Sequence, residues 1–172
     1  MFYFVRHGQT DYSLRNSLIY QGFGTQLAPL SPLGICQIEK TARDPRLQGA
    51  KLILASPYTR AVQTAAILSR ALDAPLVVET QLHEWLANRQ YIYEPDSVAE
   101  ARYQAYRQHH GCHPQGQDCL WESAEQMRMR VLNVLGAYRT LDSVIVAGHG
   151  MMIEAVTGAS HPENGEIVEF SF

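Results

Sequence analysis

Four short runs of apolar residues punctuate the chain, and each is nearly continuous rather than alternating. They are Phe2–Val5, Leu52–Ala55, Leu76–Val78 and Val144–Ala147. Continuous apolar runs of this length are typical of strands in a parallel sheet whose two faces are both covered. A fifth segment, Ile167–Phe172, alternates well enough to predict an edge strand.

Helical patterns lie between these runs. Pro32, directly after Ser31, predicts the start of a first helix that must end before Pro45. Ser56-Pro57 is expected to open a second helix. The second helix should bury one face, formed by Tyr58, Ala61, Val62, Ala65, Leu68, Ser69 and Leu72.

Two more helices are predicted in the second half of the chain. Ser123 and Gln126 have the spacing of a capping box, which marks a helix start. The buried stripe of that helix would be Ala124, Met127, Val131, Val134, Leu135 and Tyr138. A last short helix begins around Gly150. Strands that alternate with helices predict a three-layer α/β/α sandwich with right-handed crossovers.

The pattern weakens between Trp85 and Leu120, where Ala99–His109 is compatible with one helix among loops. A long irregular insertion in an α/β domain commonly covers the site or is mobile. We therefore expect one domain over residues 1–172, with an insertion at about 85–120 that covers the site.

Polar side chains follow the predicted strands at the point where each strand ends. Arg6 and His7 follow the first strand, and Arg60 lies in the first turn of the helix after the second. Glu84 comes past the third strand, and His149 follows the fourth. Because ligands of open α/β sheets bind beyond the carboxyl ends of the strands, these five side chains should meet at one rim.

The residue types at this rim suit phosphoryl transfer. Arginine presents a fixed fork that matches phosphate oxygens and stays charged at any useful pH. A neutral imidazole can attack phosphorus, a second can bind the equatorial oxygens, and a carboxylic acid can protonate the leaving oxygen. We expect neither a metal nor a cofactor, because the sequence offers no carboxylate cluster that would hold a metal. An isolated histidine or arginine here would more often be structural, but four independent placements make coincidence improbable.

The ordered set of motifs resembles the histidine phosphatase superfamily. Within that superfamily, the motifs resemble the branch that contains cofactor-dependent phosphoglycerate mutases and many small phosphatases. The resemblance covers nearly the whole chain and rests on Arg6–Thr10, Leu30–Gly34, Ser56–Ala65, Leu82–Glu84, Glu122-Ser123 and Ala147–Gly150.

The resemblance implies roles for the rim residues. His7 would be the phosphorylated nucleophile, Glu84 the general acid and base, and the phosphate pocket would be Arg6, Arg60 and His149. Weaker candidates for contact with phosphate or substrate are Thr10, Ser13, Gly22 and Gly150. The family's sheet is mostly parallel with one antiparallel edge strand, which agrees with the apolar pattern.

The chain departs from the family pattern at several places. Ser13 stands where many members carry asparagine, Trp121 replaces the usual glycine before Glu122, and the segment after Glu84 lacks a glycine-rich stretch. Asn88 and Arg89 would bind substrate or belong to the loop surface.

The chain is also short beside the mutases, which favours a phosphomonoester hydrolase. The alternatives are a mutase, and a phosphohistidine phosphatase or phosphate-recognition module that acts on a partner protein.

Composition narrows the partners. The 172-residue chain has 46% apolar and 18% charged residues and a formal net charge of -3. No broad cationic surface is expected, so nucleic acid is disfavoured as a partner. The N-terminus does not resemble a signal peptide and no run could span a bilayer, so no membrane partner is expected. The three cysteines are an odd number, and we expect them to be free thiols of a cytoplasmic protein. The expected partner is a small phosphorylated substrate, with a phosphoprotein as the alternative; oligomeric state stays open.

Two further clusters carry weaker signals. Potential zinc ligands crowd one stretch: His109, His110, Cys112, His113 and Cys119. Their spacing fits no standard zinc pattern, so a polar loop is the favoured interpretation. A third interpretation is that one of these histidines reaches the substrate. Four tyrosines could form an aromatic wall for a ligand, although packing of the insertion is favoured; they are Tyr91, Tyr93, Tyr103 and Tyr106.

Overall fold

A computed structural model describes residues 1–15, 17, 24–90, 92 and 94–172 of the chain. Five strands form one sheet: β1 (Phe2–Arg6), β2 (Leu52–Ala55), β3 (Leu76–Val78), β4 (Val144–Gly148) and β5 (Ile167–Phe170). Their order is β3-β2-β4-β1-β5. The first four strands are mutually parallel, and β5 pairs antiparallel with β1. The predicted α/β class and its antiparallel edge strand are confirmed.

The helices are α1 (Gly24–Leu27), α2 (Pro32–Thr41), α3 (Thr59–Leu72), α4 (Asp96–Gln108), α5 (Ala124–Ala137) and α6 (Gly150–Thr157). Short 3₁₀ turns lie at Pro45–Leu47 and Thr80–Leu82. The Ser31 side chain caps α2, and Ser123 and Gln126 form the predicted capping box of α5. None of the helices in the described ranges is long and apolar enough to cross a membrane.

Two apolar cores lie on opposite faces of the sheet, because successive strand residues point to opposite faces. One core joins α5 and α6 to the sheet through Phe2, Phe4, Leu52, Leu54, Val144, Val146, Met127, Val131, Leu135 and Met152. The other joins α2 and α3 to it through Val5, Ile53, Ala55, Ile145, Ala147, Ile38, Ala65 and Leu68. Strands β2 and β4 are buried along their whole length, which explains their continuous apolar runs.

Three local predictions need correction. Strand β3 lies at the sheet edge, so Val78 is 49% exposed rather than covered on both faces. Helix α3 begins at Thr59 and not at Ser56, because Ser56 continues the ladder from β2 by donating its N–H to Ala147 O. Helix α4 begins three residues earlier than predicted, directly after Pro95.

The carboxyl ends of β1, β2 and β4 are aligned at one edge of the sheet. Arg6 pairs with Gly148, and the His7 N–H donates to Gly148 O at 2.9 Å. Each strand therefore delivers its next residue to the same rim. The chain leaving β1 then passes so close to α2 that a Cβ on Gly8 would lie 2.3 Å from the Gly34 carbonyl oxygen.

We predict that Gly8→Ala destabilises the fold by about 2–3 kcal/mol, because its methyl group has only backbone to displace. Gly136→Ala is the matched control, since a Cβ there meets nothing within 4 Å. That helical substitution should stabilise the protein by about 0.5–1 kcal/mol. Urea denaturation measures both changes, and equal effects of the two variants would contradict the close approach at Gly8.

Candidate active site

His7 lies at the rim directly after β1, with only 6% of its surface exposed. Its Nδ1 lies 2.8 Å from the Gly8 carbonyl oxygen, and its Nε2 accepts a hydrogen bond from Arg60 Nε at 3.0 Å. A carbonyl oxygen only accepts and a guanidinium only donates, so the hydrogen is assigned to Nδ1 and the lone pair to Nε2. The ring is thus a neutral imidazole whose Nε2 faces a cation.

The electrostatic surroundings keep His7 neutral. Burial, followed by the charge of Arg60, lowers the pKa of His7 from 6.5 to about 3. Arg60 is itself 3% exposed, donates through Nη1 to the Thr25 carbonyl oxygen at 2.5 Å, and lies over the Tyr58 ring. At neutral pH the site therefore combines an uncharged imidazole with a fixed positive charge.

His149 follows β4 and is completely buried, with its ring centroid 5.2 Å from that of His7. Its Nε2 lies 2.6 Å from Ser56 Oγ, and that oxygen also accepts the Tyr58 N–H. The bond from Tyr58 favours Ser56 as donor to Nε2, which places the ring hydrogen on Nδ1. Within the described residues, Nδ1 has no hydrogen-bond partner, so a buried donor is left for a ligand. Burial and then the Arg60 charge hold the pKa of His149 well below its usual range.

Arg6 supplies a second cation at the end of β1. Its Nη1 donates to the Pro162 carbonyl oxygen at 2.5 Å, while its Nε is buried without a partner among the described residues. No carboxylate of the described chain lies within ion-pair distance of Arg6 or Arg60. Buried charge without a counter-charge is costly, so this arrangement is built to receive an anion.

Glu84 reaches the rim from the turn after β3. Its Oε1 accepts the N–H groups of Trp85 at 2.9 Å and Met152 at 3.2 Å, and its Oε2 accepts that of Met151 at 3.3 Å. The carboxylate thereby satisfies the first turn of α6, the helix that follows His149. Glu84 is brought to the predicted site, bound to backbone that adjoins the pocket.

A buried ion pair holds the segment that carries Glu84. Glu122 binds Arg130 through both oxygens, at 2.6 and 2.9 Å. Arg130 also donates to the carbonyl oxygens of Gln81 and Glu84, and Glu122 O accepts the Trp85 indole N–H. These contacts connect α5 to the turn at Thr80–Leu82 and fix the backbone on both sides of His83.

The weaker predicted residues divide into three cases. Thr10 lies near the site, with Oγ1 3.5 Å from His7 Nδ1, and Gly150 begins α6 beside His149. Ser13 is exposed, and its N–H binds Asp11 Oδ1 in a local turn. Gly22 lies outside the described residues.

Asn88 and Arg89 are bound within the insertion. Asn88 donates to Glu94, and Arg89 donates to Asp118 Oδ1 at 2.6 Å and to Cys119 O at 2.7 Å. Of the two interpretations of these residues, these contacts favour the loop-surface role.

The histidines and cysteines between His109 and Cys119 do not form a metal-binding cluster in the described part of the chain. His113 Nε2 bonds to the Trp121 carbonyl oxygen at 2.8 Å, and Cys112 is exposed. Over the described ranges, no three potential metal ligands lie close enough together to hold an ion. Tyr103 and Tyr106 pack edge-on against Trp85, as the packing interpretation predicts. The other two tyrosines of the proposed wall, at 91 and 93, lie outside the described residues.

Several residues of the site were not predicted. The sequence predicts Ser56 only as a helix start and as part of the motif Ser56–Ala65, with no role in the site, and Arg130 gives no signal. Asn164, which donates to the His7 carbonyl oxygen at 2.8 Å, and His161 beside Gly150 gave no signal. The positions of Asn164 and His161 depend on how the loop before β5 folds back, which no local pattern encodes.

Comparison with known proteins agrees with this geometry. The family model described as histidine phosphatase superfamily (branch 1) matches residues 2–165. A candidate phosphoserine phosphatase from Hydrogenobacter thermophilus is 37% identical over 82 residues, which are 48% of this chain and 38% of the relative. A candidate phosphoglycerate mutase, GpmB from Proteus mirabilis, is 28% identical over 82 residues, 48% of this chain and 36% of the relative. Each match spans less than two fifths of the curated relative.

Among solved structures, a mycobacterial glucosyl-3-phosphoglycerate phosphatase in complex with VO3 superimposes with a TM-score of 0.67. It is 22% identical, and the alignment covers 96% of this chain and 88% of that chain. At this identity the likeness establishes the shared fold.

The depressed pKa of His7 predicts a stability loss in acid. Above pH 6.5 both the folded and the unfolded state hold His7 neutral; as the pH falls from 6.5 towards 3, only the unfolded state takes up the proton. His7 therefore lowers the free energy of unfolding by about 1.4 kcal/mol per pH unit in that window. We expect His7→Gln to remove this slope in urea denaturation at pH 7, 5.5 and 4.5.

The exposed His109 provides the control for this measurement. His109→Gln should keep the pH dependence of the wild-type protein. If the free energy of unfolding fell with pH equally in His7→Gln and in the wild-type protein, His7 would not be a buried neutral ring.

Proposed function

We propose that this chain, which belongs to the histidine phosphatase superfamily (branch 1), is a phosphatase that acts through a covalent phosphohistidine at His7. One observation carries the proposal: two guanidinium groups without a carboxylate partner among the described residues flank a neutral imidazole whose Nε2 lone pair is bound only by the Arg60 N–H. An anion that carries an electrophilic phosphorus satisfies both features at once.

In the first step, a phosphomonoester dianion would draw Arg60 from His7 Nε2 to the phosphoryl oxygens. The Nε2 lone pair then forms a bond to phosphorus while the bond from phosphorus to the ester oxygen breaks. The ring becomes cationic, and Nδ1–H keeps its bond to the Gly8 carbonyl oxygen. His149 Nδ1 and Arg6 Nε, both buried and unpartnered among the described groups, would donate to the oxygens as charge shifts.

Glu84 is proposed to deliver the proton to the leaving oxygen. Oε1 accepts two backbone N–H groups and Oε2 accepts one, which leaves Oε2 a lone pair that can hold the proton. In the second step a water loses its proton to Glu84 and attacks phosphorus, the bond from phosphorus to Nε2 breaks, and inorganic phosphate departs. No step needs a metal.

Substrate contacts beyond the pocket are proposed for Thr10, Ser13, Gly22 and Gly150. Thr10 and Gly150 are supported by their closeness to His7 and His149. A small phosphorylated metabolite is the favoured substrate class, since the related proteins carry names for phosphoserine and phosphoglycerate chemistry. A phosphoprotein is the alternative partner.

The domain organisation belongs to the same proposal. We propose one domain over 1–172, whose insertion at about 85–120 covers the site. Support comes from Glu122 N, which donates to Leu86 O, and from Arg107, which pairs with Glu154 of α6. A cytoplasmic location is also proposed, and the three free cysteines support it.

Acid-sensitive trapping tests the intermediate. Wild-type protein mixed with a labelled phosphomonoester in the presence of chelator should yield an acid-labile, alkali-stable label on the chain. His7→Ala should lose the label and reduce turnover by at least about 10³-fold, because the nucleophile is gone. His109→Ala should keep both. A label that survives in His7→Ala, or turnover without any label, would reject this mechanism.

Product analysis separates hydrolysis from the mutase alternative, which the likeness to the candidate phosphoglycerate mutase supports. With a phosphoglycerate substrate, a hydrolase releases one phosphate for each ester consumed. An isomeric ester without free phosphate would favour the mutase. We expect stoichiometric phosphate release.

A further inference from the structure

The loop between α6 and β5 is bound to the rim and brings an additional histidine to it. Arg6 donates to the Pro162 carbonyl oxygen, and Asn164 donates to that of His7 at 2.8 Å. These bonds anchor the loop on both sides of the nucleophile's backbone. His161 directly precedes the first anchor point, so the backbone that carries its side chain is held at the rim.

His161 lies directly against the first residue of α6. A Cβ built on Gly150 would lie 2.2 Å from His161 Cε1 and 2.4 Å from its Nε2. Gly150 follows His149, so the His161 ring lies against the backbone that adjoins this buried histidine. The charge of His161 is also one of the smaller causes that lower the pKa of His7, which agrees with this closeness.

Glu154 fixes the orientation of the His161 ring. Its Oε2 lies 3.3 Å from His161 Nδ1, and its Oε1 pairs with Arg107 Nη1 at 3.0 Å. A carboxylate accepts, so Nδ1 carries a hydrogen. His161 Nε2 forms no hydrogen bond to any described residue and lies on the Gly150 side of the ring.

His161 occupies a different depth from the two buried histidines. Its side chain is 42% exposed, whereas His149 is fully buried. The inner donors, on Arg6, Arg60 and His149, already surround the place proposed for the phosphoryl group. A ring at this shallower depth would face the part of the substrate that carries the phosphoryl group. When the ring carries both hydrogens, its Nε2–H can donate to an anion.

We propose that His161 is a specificity-determining residue whose Nε2 binds an anionic group, such as a carboxylate, that the substrate carries beside its phosphate ester. Glu154 is the positioning residue that orients the ring. This inference rests on the proposed function and adds a substrate class to it: phosphomonoesters with a second negative charge on the leaving group.

Two esters that differ only by a carboxylate test the proposal: O-phosphoserine and O-phosphoethanolamine. The measured quantity is the ratio of their kcat/KM values, in wild-type protein and in His161→Ala. We expect the ratio to fall about tenfold in the variant, as for loss of one hydrogen bond to a charged group. The fall should appear in KM for O-phosphoserine rather than in kcat.

Glu154 variants and an exposed histidine supply the controls. Glu154→Ala should lower the ratio, and Glu154→Gln should recover part of it, since its amide oxygen still accepts from Nδ1. His109→Ala should leave the ratio unchanged. If His161→Ala lowers the melting temperature, His161→Asn, which keeps a polar side chain of similar size, replaces it.

An unchanged ratio in the His161 variants, or an equal loss of kcat/KM for both esters, overturns the inference about His161. Turnover by the wild-type protein would still support the proposed phosphatase. If the wild-type protein hydrolyses neither ester, the trapping of labelled protein decides the proposed function separately. Calorimetric binding of O-phosphoserine then decides: weaker binding by His161→Ala than by the wild-type protein supports the inference, and equal or absent binding overturns it.

Discussion

The hydrogen bond from Arg60 to His7 Nε2 sets the chemistry of the rim. Burial first, and then the permanent positive charge of Arg60, lowers the pKa of His7 to about 3, so the ring stays uncharged far below the usual range of histidine. The same cation, together with Arg6, has no carboxylate in the described chain to balance it. Burial thus favours the neutral imidazole, and the contact with Arg60 adds to that effect and places an unbalanced positive charge beside the ring.

The sheet makes that contact possible. His7 and Arg60 are far apart in sequence, yet β1 and β2 both border β4, and their carboxyl ends share one edge. The two apolar cores bury the strands on both faces, so the positions of the strand ends are fixed by packing rather than by the polar residues themselves. Rim side chains can then be selected for chemistry without loss of the fold.

Much of this arrangement can be predicted from the sequence, because it depends on local signals. Continuous apolar runs mark buried strands, and the residues that follow them must share a rim; His7, Arg60, Glu84 and His149 were placed in this way. The exposure of β3 was missed because an apolar run does not tell an edge strand from a central one. The contacts of Glu84 with α6 and the position of His161 depend on tertiary packing between distant segments, for which no periodicity exists.

The pairing of Arg60 with Nε2 also has a protective consequence. A nucleophilic lone pair left open would attract protons, adventitious metal ions and stray electrophiles during the whole time the protein waits for a ligand. Here the Arg60 guanidinium donates a hydrogen bond to this lone pair. A second bond, from Nη1 to the Thr25 carbonyl oxygen, holds the guanidinium in place. In the proposed mechanism, only an anion that binds the guanidinium more strongly than the imidazole does can expose this nitrogen. His7 would then react only while such an anion is bound.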